Sequence, residues 1–332
     1  MQENHPSALL LLGMLDEKSG NGWRHREAAS ANLNQFKEMN ALRSLLVATD
    51  FSTDSRYAMN RAGLICSSNE ISMGVALHVA ETSWLESLKR SVNRSDDIEQ
   101  QALHNVMHNL DEAVESSWRH TGIRLESRLV SGKVVDTILE ASTDADIIVL
   151  GARSHHTFQD MTVGSTPSRV IRRSVKPVLV VRSEAEHAYR TVLVAVDFSE
   201  HSMASLQWAA AIEPKASLYL LHVYHAMFEH KMKYAGITED AIEEYRRQAR
   251  AEAEVEMDQF LSSASGIREN RLHQMIRHGS HIASILVREI RKTGADLIVV
   301  GKHGKTLMEH LLLGSVTLNL LDHAPCDLLV TQ

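Results

Sequence analysis

The sequence predicts an α/β fold of two tandem doubly wound domains, each a five-stranded parallel sheet with helices on both faces. Three observations support this prediction. Short, continuous apolar runs such as the one at 45–49 are typical of parallel strands that are covered on both faces. Longer helical segments separate these runs, as expected for a parallel sheet. The whole series of elements then recurs once, about 150 residues further along the chain.

The first repeat supplies five strands and four main helices. The strands are predicted at 45–50, 71–80, 124–130, 146–150 and 178–181. The helices are predicted at 53–67, 96–120, 134–142 and 165–174. Ser52 or Thr53 is a suitable cap for the first helix, and Pro167 is tolerated in the first turn of the last. Residues 1–42 lack a strand pattern and are expected to be an N-terminal extension.

The second repeat follows the same order of elements. Asp197 corresponds to Asp50 at an offset of 147, and Gly301 corresponds to Gly151 at an offset of 150. In the alignment of the two repeats, residues 328–330 of the last strand correspond to residues 179–181. Residues 224–236 are interpreted as a loop. A period of this length indicates a domain duplication and not a solenoid. With the polar segment 183–190 as linker, the domains are expected at 43–183 and 190–332.

Composition narrows the classes of function. The formal net charge of −7 disfavours a general nucleic-acid binder, which would usually be basic. The chain contains only two cysteines, Cys66 and Cys326, which fits a reducing, cytoplasmic setting and no disulfide framework. No uncharged apolar run approaches the roughly 18–20 residues of a membrane span. We therefore expect no nucleic-acid partner and no membrane partner.

A glycine-bearing loop near the C-terminus has the composition of an anion site. Gly301, Gly304 and Gly314 fit the pattern G-x2-G-x9-G-[ST], completed by Ser315. Glycine lets a backbone approach a bound group closely, and a helix that begins after Gly314 would present N–H groups and partial positive charge. Three side chains could add cationic or hydrogen-bonding groups, or form a solvated loop face: Lys302, His303 and Lys305. The pattern indicates a site for nucleotide phosphates.

The first strand of the second repeat ends at Asp197, and the fourth ends at Gly301. Ligands of such sheets bind beyond the carboxyl ends of the strands, where the strand order reverses. If these two strands are neighbours there, the carboxylate and the glycine loop face one crevice. Asp197 could also cap the following helix, and that role is compatible with ligand contact.

The motifs together resemble the universal stress protein family in its tandem two-domain form, over residues 43–332. They are the Val-Ala-Val-Asp-Phe-Ser segment at 194–199, the Leu-His-Val segment at 221–223, and the glycine loop. The resemblance implies strand order 3-2-1-4-5 in each domain. It also implies antiparallel pairing of the two fifth strands, 178–182 and 328–331, as an intramolecular pseudo-dimer that leaves homodimerisation open.

The resemblance further implies an ATP-binding protein of the stress response, in which nucleotide changes conformation or partner binding. The implied ATP contacts lie in the second domain: Ala195, Asp197, Val223, Val300, Gly301, His303, Gly304, Gly314, Ser315 and Val316. Among them, Asp197 and Ala195 lie near ribose and adenine, and Val223 lines the adenine slot. The residues that hold ribose and phosphates are Gly301, His303, Gly304, Gly314, Ser315 and Val316.

The first domain departs from this pattern. Its corresponding residues form a second, weaker site: Asp50, Gly151, Ser154, Gly164 and Ser165. Ser154 replaces the middle glycine, which costs on the order of 1 kcal/mol if that position needs positive φ. Pro167 replaces the residue that matches Thr317 and removes an N–H donor. We expect weak or absent ATP binding in this domain.

Other functions remain open at this level. No residue is assigned a catalytic role, so slow, Mg²⁺-dependent ATP hydrolysis or self-phosphorylation is the most that is expected. The alternative is an interaction scaffold of the same fold that binds an unidentified protein partner and no nucleotide. The 19 histidines leave metal binding undetermined. His78 and His222, at matching strand positions, are interpreted as satisfied core residues.

Overall fold

The computed structural model describes residues 42–83, 86–87, 95–153, 165–226, 229–264, 266–304 and 313–332. The predicted extension 1–42 therefore lies outside the described residues except for Leu42, which is buried. Within the described part, the strands are β1 (Ser44–Thr49), β2 (Met73–Glu81), β3 (Glu126–Gly132), β4 (Ile147–Gly151), β5 (Val178–Val181), β6 (Thr191–Val196), β7 (Ser217–Tyr224), β8 (Leu272–His278), β9 (Leu297–Gly301) and β10 (Asp327–Thr331).

The helices are α1 (Thr53–Asn69), α2 (Ser95–Thr121), α3 (Val134–Ala141), α4 (Ser165–Arg173), α5 (Glu200–Ile212), α6 (Glu229–Tyr234), α7 (Glu239–Ser263), α8 (Ile282–Thr293) and α9 (Ser315–His323). Every strand and helix predicted for the first repeat is present, with ends that differ by no more than two residues. The short helix α6 lies in a segment predicted as a loop, so that part of the prediction is wrong.

All the strands belong to one sheet of order β3-β2-β1-β4-β5-β10-β9-β6-β7-β8. Each half has the predicted order 3-2-1-4-5, and all pairings within a half are parallel. The halves join where β5 and β10 pair antiparallel, with Leu179 opposite Leu329. The predicted pseudo-dimer is confirmed, and this pairing satisfies two edges that would otherwise present unpaired backbone groups.

The repeat alignment of the last strands is wrong by one residue. The sequence alignment places Leu328 at the position of Leu179. In the structure Val178 pairs with Ile148, whereas Leu328 pairs with Ile298, so Val178 and Leu328 are equivalent. The aligned runs 178–181 and 328–330 are apolar throughout, so composition alone does not fix which residue faces which side. The neighbouring strand fixes the register.

Two hydrophobic cores lie on opposite faces of the sheet. Successive strand residues alternate between them: Leu46 belongs to one core and Val47 to the other. The core around Val47 includes α1, α2, α5 and α7, and the core around Leu46 includes α3, α4, α8 and α9. Each core runs across both domains. Among the described helices, none combines the length and apolarity needed to cross a bilayer.

A buried polar cluster ties the linker to both domains. Asp327 at the start of β10 is 1% exposed and accepts hydrogen bonds from Tyr189 Oη at 2.7 Å and from the Arg182 amide at 2.9 Å. Arg61 of α1 approaches the same carboxylate at 3.3 Å, and its guanidinium lies 3.8 Å from the centre of the Tyr189 ring. Pro177 occupies the equivalent place in the first domain, so the cluster is formed only on one side of the pseudo-two-fold.

We predict that Asp327→Asn lowers the free energy of unfolding by about 3–5 kcal/mol, because the substitution leaves the Arg61 cation buried without its counter-charge. Urea denaturation followed by circular dichroism measures this change. The exposed linker variant Glu184→Gln is the control, and its effect should stay below about 0.5 kcal/mol. A loss below about 1 kcal/mol in Asp327→Asn would show that the cluster contributes little.

Candidate functional site

A cavity of about 330 Å³ lies beyond the carboxyl ends of β6 and β9, where the strand order of the second half reverses. All ten second-domain residues expected at the ATP site line this cavity: Ala195, Asp197, Val223, Val300, Gly301, His303, Gly304, Gly314, Ser315 and Val316. The structure therefore brings together residues that are more than 100 positions apart in sequence. The volume of the cavity falls at the lower end of the roughly 300–1,000 Å³ usual for small-molecule sites.

A strained turn presents the Asp197 carboxylate at the end of β6. Asp197 Oδ1 accepts the Ser199 N–H at 3.1 Å, and Ser199 Oγ in turn caps α5 by accepting the Ser202 N–H at 3.2 Å. Phe198, between them, has a left-handed φ of 62°. Such a conformation costs a non-glycine residue roughly 1–2 kcal/mol. Ser199, and not Asp197, is the helix cap, and the turn holds the carboxylate beside the cavity.

His222 supports this turn from β7. Its Nδ1–H donates to the Val196 carbonyl at 2.8 Å, and its ring stacks on Phe198 at 4.2 Å between centroids. His78 repeats both contacts in the first domain, with the Thr49 carbonyl at 2.8 Å and a stacked Phe51. Burial lowers the pKa of His78. The prediction that these two histidines are hydrogen-bonded is confirmed, whereas the prediction that they belong to the core is not, because both are only partly buried and line the cavities.

The glycine loop lies close to the carboxylate. A Cβ added at Gly304 would lie 3.2 Å from Asp197 Oδ2, so the backbone at this point approaches the acid directly. The backbone is not left-handed at any of the three loop glycines, Gly301, Gly304 and Gly314. The condition under which serine would be strained, a positive φ at the middle glycine, is therefore not met in the second domain. Glycine is favoured at position 304 by the close approach, and its counterpart Ser154 lies outside the described residues.

The N-terminus of α9 forms one wall of the cavity. The Gly314 N–H donates to the Lys302 carbonyl at 3.0 Å, and Thr317 Oγ1 donates to the Gly301 carbonyl at 2.9 Å. These bonds fix the first turn of α9 against the end of β9. The first-turn amides of an α-helix have no acceptor within the helix, and they carry partial positive charge. Ser315 and Val316 therefore supply a polar, electropositive wall.

Lys302 does not take part in this wall. Its side chain is buried and turns away from the cavity, where Nζ donates to the carbonyl of Ser174, just after α4 of the first domain, at 3.2 Å. Burial lowers the pKa of the Lys302 ammonium. The expectation that Lys302 is either an anion ligand or a solvated residue is wrong, because its contact joins the domains. Lys305 lies outside the described residues.

The apolar lining of the cavity includes residues that the sequence analysis missed. Ile282 and Leu286 project from the first turns of α8 onto the same space as Val223. Val134 and Ile138 line the first-domain cavity from α3 in the same manner. The repeat contained the signal, since Gly279 and Gly132 precede these helices at matching positions. A helix face that lies over a sheet edge becomes recognisable only once both are placed.

The first-domain counterpart is a smaller cavity of about 100 Å³. Asp50 and Gly151 line it as expected, whereas Ser154 and Gly164 lie outside the described residues. Ser165 begins α4, and Pro167 is buried in the first turn of that helix and lines the cavity. The first domain thus keeps the carboxylate and the β4 glycine but encloses about a third of the space.

Gly151 has a structural explanation that does not involve a ligand. A Cβ at this position would lie 2.6 Å from the Asp54 carbonyl carbon and 2.7 Å from the Ser55 nitrogen, both in the first turn of α1. At Gly301 the nearest such atom is the His303 carbonyl oxygen, at 3.0 Å. The β4 end therefore needs glycine for helix packing, whereas the β9 end has more room.

Within the described part of the chain, histidine, cysteine and acidic residues form no cluster of three or more suited to a metal ion. Among the residues that do not line the cavity, one group of charged side chains pairs within itself. Glu229 of α6 lies 3.0 Å from Lys233 and 3.1 Å from His278, and it also accepts a hydrogen bond from Arg246 at 2.5 Å. This cluster holds α6 against α7 and the end of β8.

The fold and the cavity define a tandem doubly wound α/β protein with a ligand-sized space at the switch point of its second domain. The sequence profile of the Universal stress protein family matches the chain twice, at residues 41–182 and 188–332. Because these matches cover most of the chain, it belongs to the universal stress protein family, in the tandem form.

Individual relatives agree with this assignment. A universal stress protein of Mycobacterium tuberculosis H37Rv is 25% identical over 214 residues, which cover 63% of this chain and 70% of that protein. Another universal stress protein, from the CDC 1551 strain of the same species, is 23% identical over 258 residues, which cover 74% of this chain and 78% of that protein. The crystal structure of a universal stress protein from Archaeoglobus fulgidus superposes with a TM-score of 0.63 at 21% identity, over 87% of this chain and 98% of that one. That superposition shows a shared fold.

We predict that Gly151→Ala lowers the free energy of unfolding by about 1–3 kcal/mol, because the new methyl group would overlap the backbone of α1. The matched substitution Gly301→Ala should cost under about 1 kcal/mol, since its neighbours lie farther away. Thermal and urea denaturation of both variants measure the difference. Equal losses at the two positions would contradict the asymmetry.

A second prediction concerns the stability of the fold at acidic pH. Chiefly because Arg246 donates a hydrogen bond to it, the pKa of Glu229 is lowered from 4.5 to about 2. The carboxylate therefore stabilises the fold above its unfolded pKa, and that contribution is lost as pH falls from 4.5 toward about 2. The stability gap between wild type and Glu229→Gln should be open near pH 7 and should shrink steadily below about pH 4.5. A gap that is constant with pH would exclude a lowered pKa at Glu229.

Proposed function

We propose that this tandem universal stress protein binds ATP in its second domain and acts in the stress response through nucleotide-dependent conformation or partner binding. The observation that supports the proposal is the cavity of about 330 Å³ at the β6–β9 switch point, whose lining combines apolar side chains, a fixed carboxylate and a helix N-terminus. A nucleotide has one part suited to each of these surfaces, namely its base, its ribose and its phosphates.

Each wall suits one part of ATP. The apolar side chains of Val223, Ile282 and Leu286 suit the adenine ring. The Asp197 carboxylate would accept hydrogen bonds from ribose hydroxyls. The first turn of α9, with the Gly301 and Gly304 backbone, would hold the phosphates, because its N–H groups and dipole favour anions. Mg²⁺ would enter with the triphosphate, as it usually does in ATP sites.

The route from nucleotide to conformation is supported by Lys302. Its backbone N–H donates to the Thr331 carbonyl of β10 at 2.7 Å, while its side chain bonds to Ser174 of the first domain. It lies between Gly301 and His303, which both line the cavity. A ligand that shifts this loop would therefore act directly on the junction of the two domains. The residues that line the cavity support nucleotide binding, and the proposal assigns no chemical reaction to them.

We predict that the full-length protein binds ATP with one site per chain in isothermal titration calorimetry with Mg²⁺, and that AMP binds the same site more weakly, because it lacks the terminal phosphates. If neither nucleotide binds, the result would contradict the proposed function and favour the scaffold alternative.

The decisive pair of variants is Asp197→Asn and Asp50→Asn. Asparagine keeps the oxygen that accepts the serine N–H in each turn, so both folds should be preserved. Asp197→Asn should weaken ATP about 10- to 100-fold, because hydrogen bonds to a charged group are worth roughly 1.5–3 kcal/mol. Asp50→Asn should leave the affinity within about twofold. Equal losses in both variants would contradict a second-domain site.

A further inference from the structure

The two domains differ at one pair of positions beside the loops that follow β4 and β9. In the first domain Asp54, in the first turn of α1, faces Arg153, which lies two residues past Gly151. The same offsets that relate the repeats, 147 and 150, place His201 and His303 at these positions in the second domain. An acid and a cation therefore correspond to two histidines.

The Asp54 carboxylate takes two of the donors that Arg153 could offer to an anion. Its Oδ2 accepts the backbone N–H of Arg153 at 3.1 Å and the Arg153 Nε–H at 3.1 Å. The side chain of Asp54 is only 12% exposed, whereas that of Arg153 is 49% exposed. A backbone amide together with a guanidinium is the donor set that proteins use for phosphate groups. In this domain an internal carboxylate already uses it.

The second domain places no carboxylate at this position. The His201 ring lies 6.5 Å from the His303 ring in an edge-on arrangement, and the His201 Cβ lies 3.3 Å from where a Cβ would stand on Gly301. Imidazole carries no fixed negative charge, so a phosphate beside Gly301 and His303 would meet no like charge at position 201. The acidic residue in the first turn of α5 is Glu200, which is exposed. The cavity on that side is also about three times larger.

We propose that Asp54 is a built-in anion that blocks the phosphate position of the first domain, and that His201 is the matching residue that lets the second domain accept phosphate. The second half of this statement rests on the proposed function, and the first half does not. Asp54 is a positioning residue, since it acts by engaging Arg153. The ligand class that it excludes is a phosphate or pyrophosphate group; the cavity of about 100 Å³ is too small for a whole nucleotide.

An acidic residue in the first turn of a helix is favourable for another reason, because it complements the helix dipole. That role would be satisfied by an exposed carboxylate and would need no cation beside it. The observed bonds to both the Arg153 amide and its guanidinium are additional. The two roles differ in one measurable respect: only a blocking anion, when removed, uncovers a new site.

The test is a calorimetric titration of the full-length protein with pyrophosphate. Asp54→Asn should bind one more equivalent per chain than wild type, whatever the wild-type number is. The double variant Asp54→Asn, Arg153→Gln should return to the wild-type number, because the freed guanidinium is the ligand. Asp54→Ser, which suits a helix N-terminus, is the second opening variant if the first is poorly folded. An unchanged stoichiometry in folded Asp54→Asn and Asp54→Ser would overturn the proposal.

The reciprocal variant tests the second domain. His201→Asp should weaken ATP at least about tenfold, since like charge beside a bound anion is strongly unfavourable. The neutral control His201→Asn should stay within about threefold of wild type, which separates charge from lost packing. Equal affinities for His201→Asp and His201→Asn would overturn the role of His201.

The two proposals fail in different ways. If wild type binds no ATP, the proposed function fails, while the pyrophosphate stoichiometry of Asp54→Asn still decides whether Asp54 blocks an anion position. If wild type binds ATP but removal of Asp54 adds no pyrophosphate site, the nucleotide function stands and the blocking role is wrong.

Discussion

The antiparallel pairing of β5 with β10 is the contact on which the rest of the molecule depends. Each domain alone would end in an apolar strand with unpaired backbone groups, and joining the two edges turns two sheets into one. The hydrophobic cores then run across the junction on both faces. The buried Asp327–Arg61 pair and the Lys302 contact to Ser174 are formed only because this junction brings the domains together. A loop at the second-domain cavity is thereby tied to the first domain.

Duplication supplied two similar scaffolds, and small differences gave them different sites. The Asp-Phe-Ser turns, with their left-handed phenylalanines and stacked histidines, are nearly superimposable in geometry. Around this shared turn the cavities differ in volume by about threefold, and an acid–arginine pair stands where the second domain has two histidines. A doubly wound fold positions ligands at its switch point but does not decide which ligand binds. That decision lies with a few side chains around each loop.

Much of the architecture could be predicted because its signals are local or repeated. Apolar runs with helical segments between them gave the elements, and the 150-residue period gave the duplication. Other features depend on contacts that no local pattern carries. The sequence suggests a cation at Lys302 beside a phosphate, but burial and the Ser174 carbonyl turn it toward the other domain. The final strands slip by one residue in the alignment because the apolar runs 178–181 and 328–330 carry no periodicity.

The sequence by itself determined the fold class and the duplication, which follow from hydrophobic period and repetition. Its resemblance to a known family further implied the strand order and ten of the residues that line the second-domain cavity. Only the tertiary structure decided that Gly151 is required by helix packing, that Lys302 serves the domain junction, and that Asp54 engages Arg153. Each of these depends on distances between atoms far apart in sequence or on the direction of a side chain. Residue spacing along a chain does not contain that information.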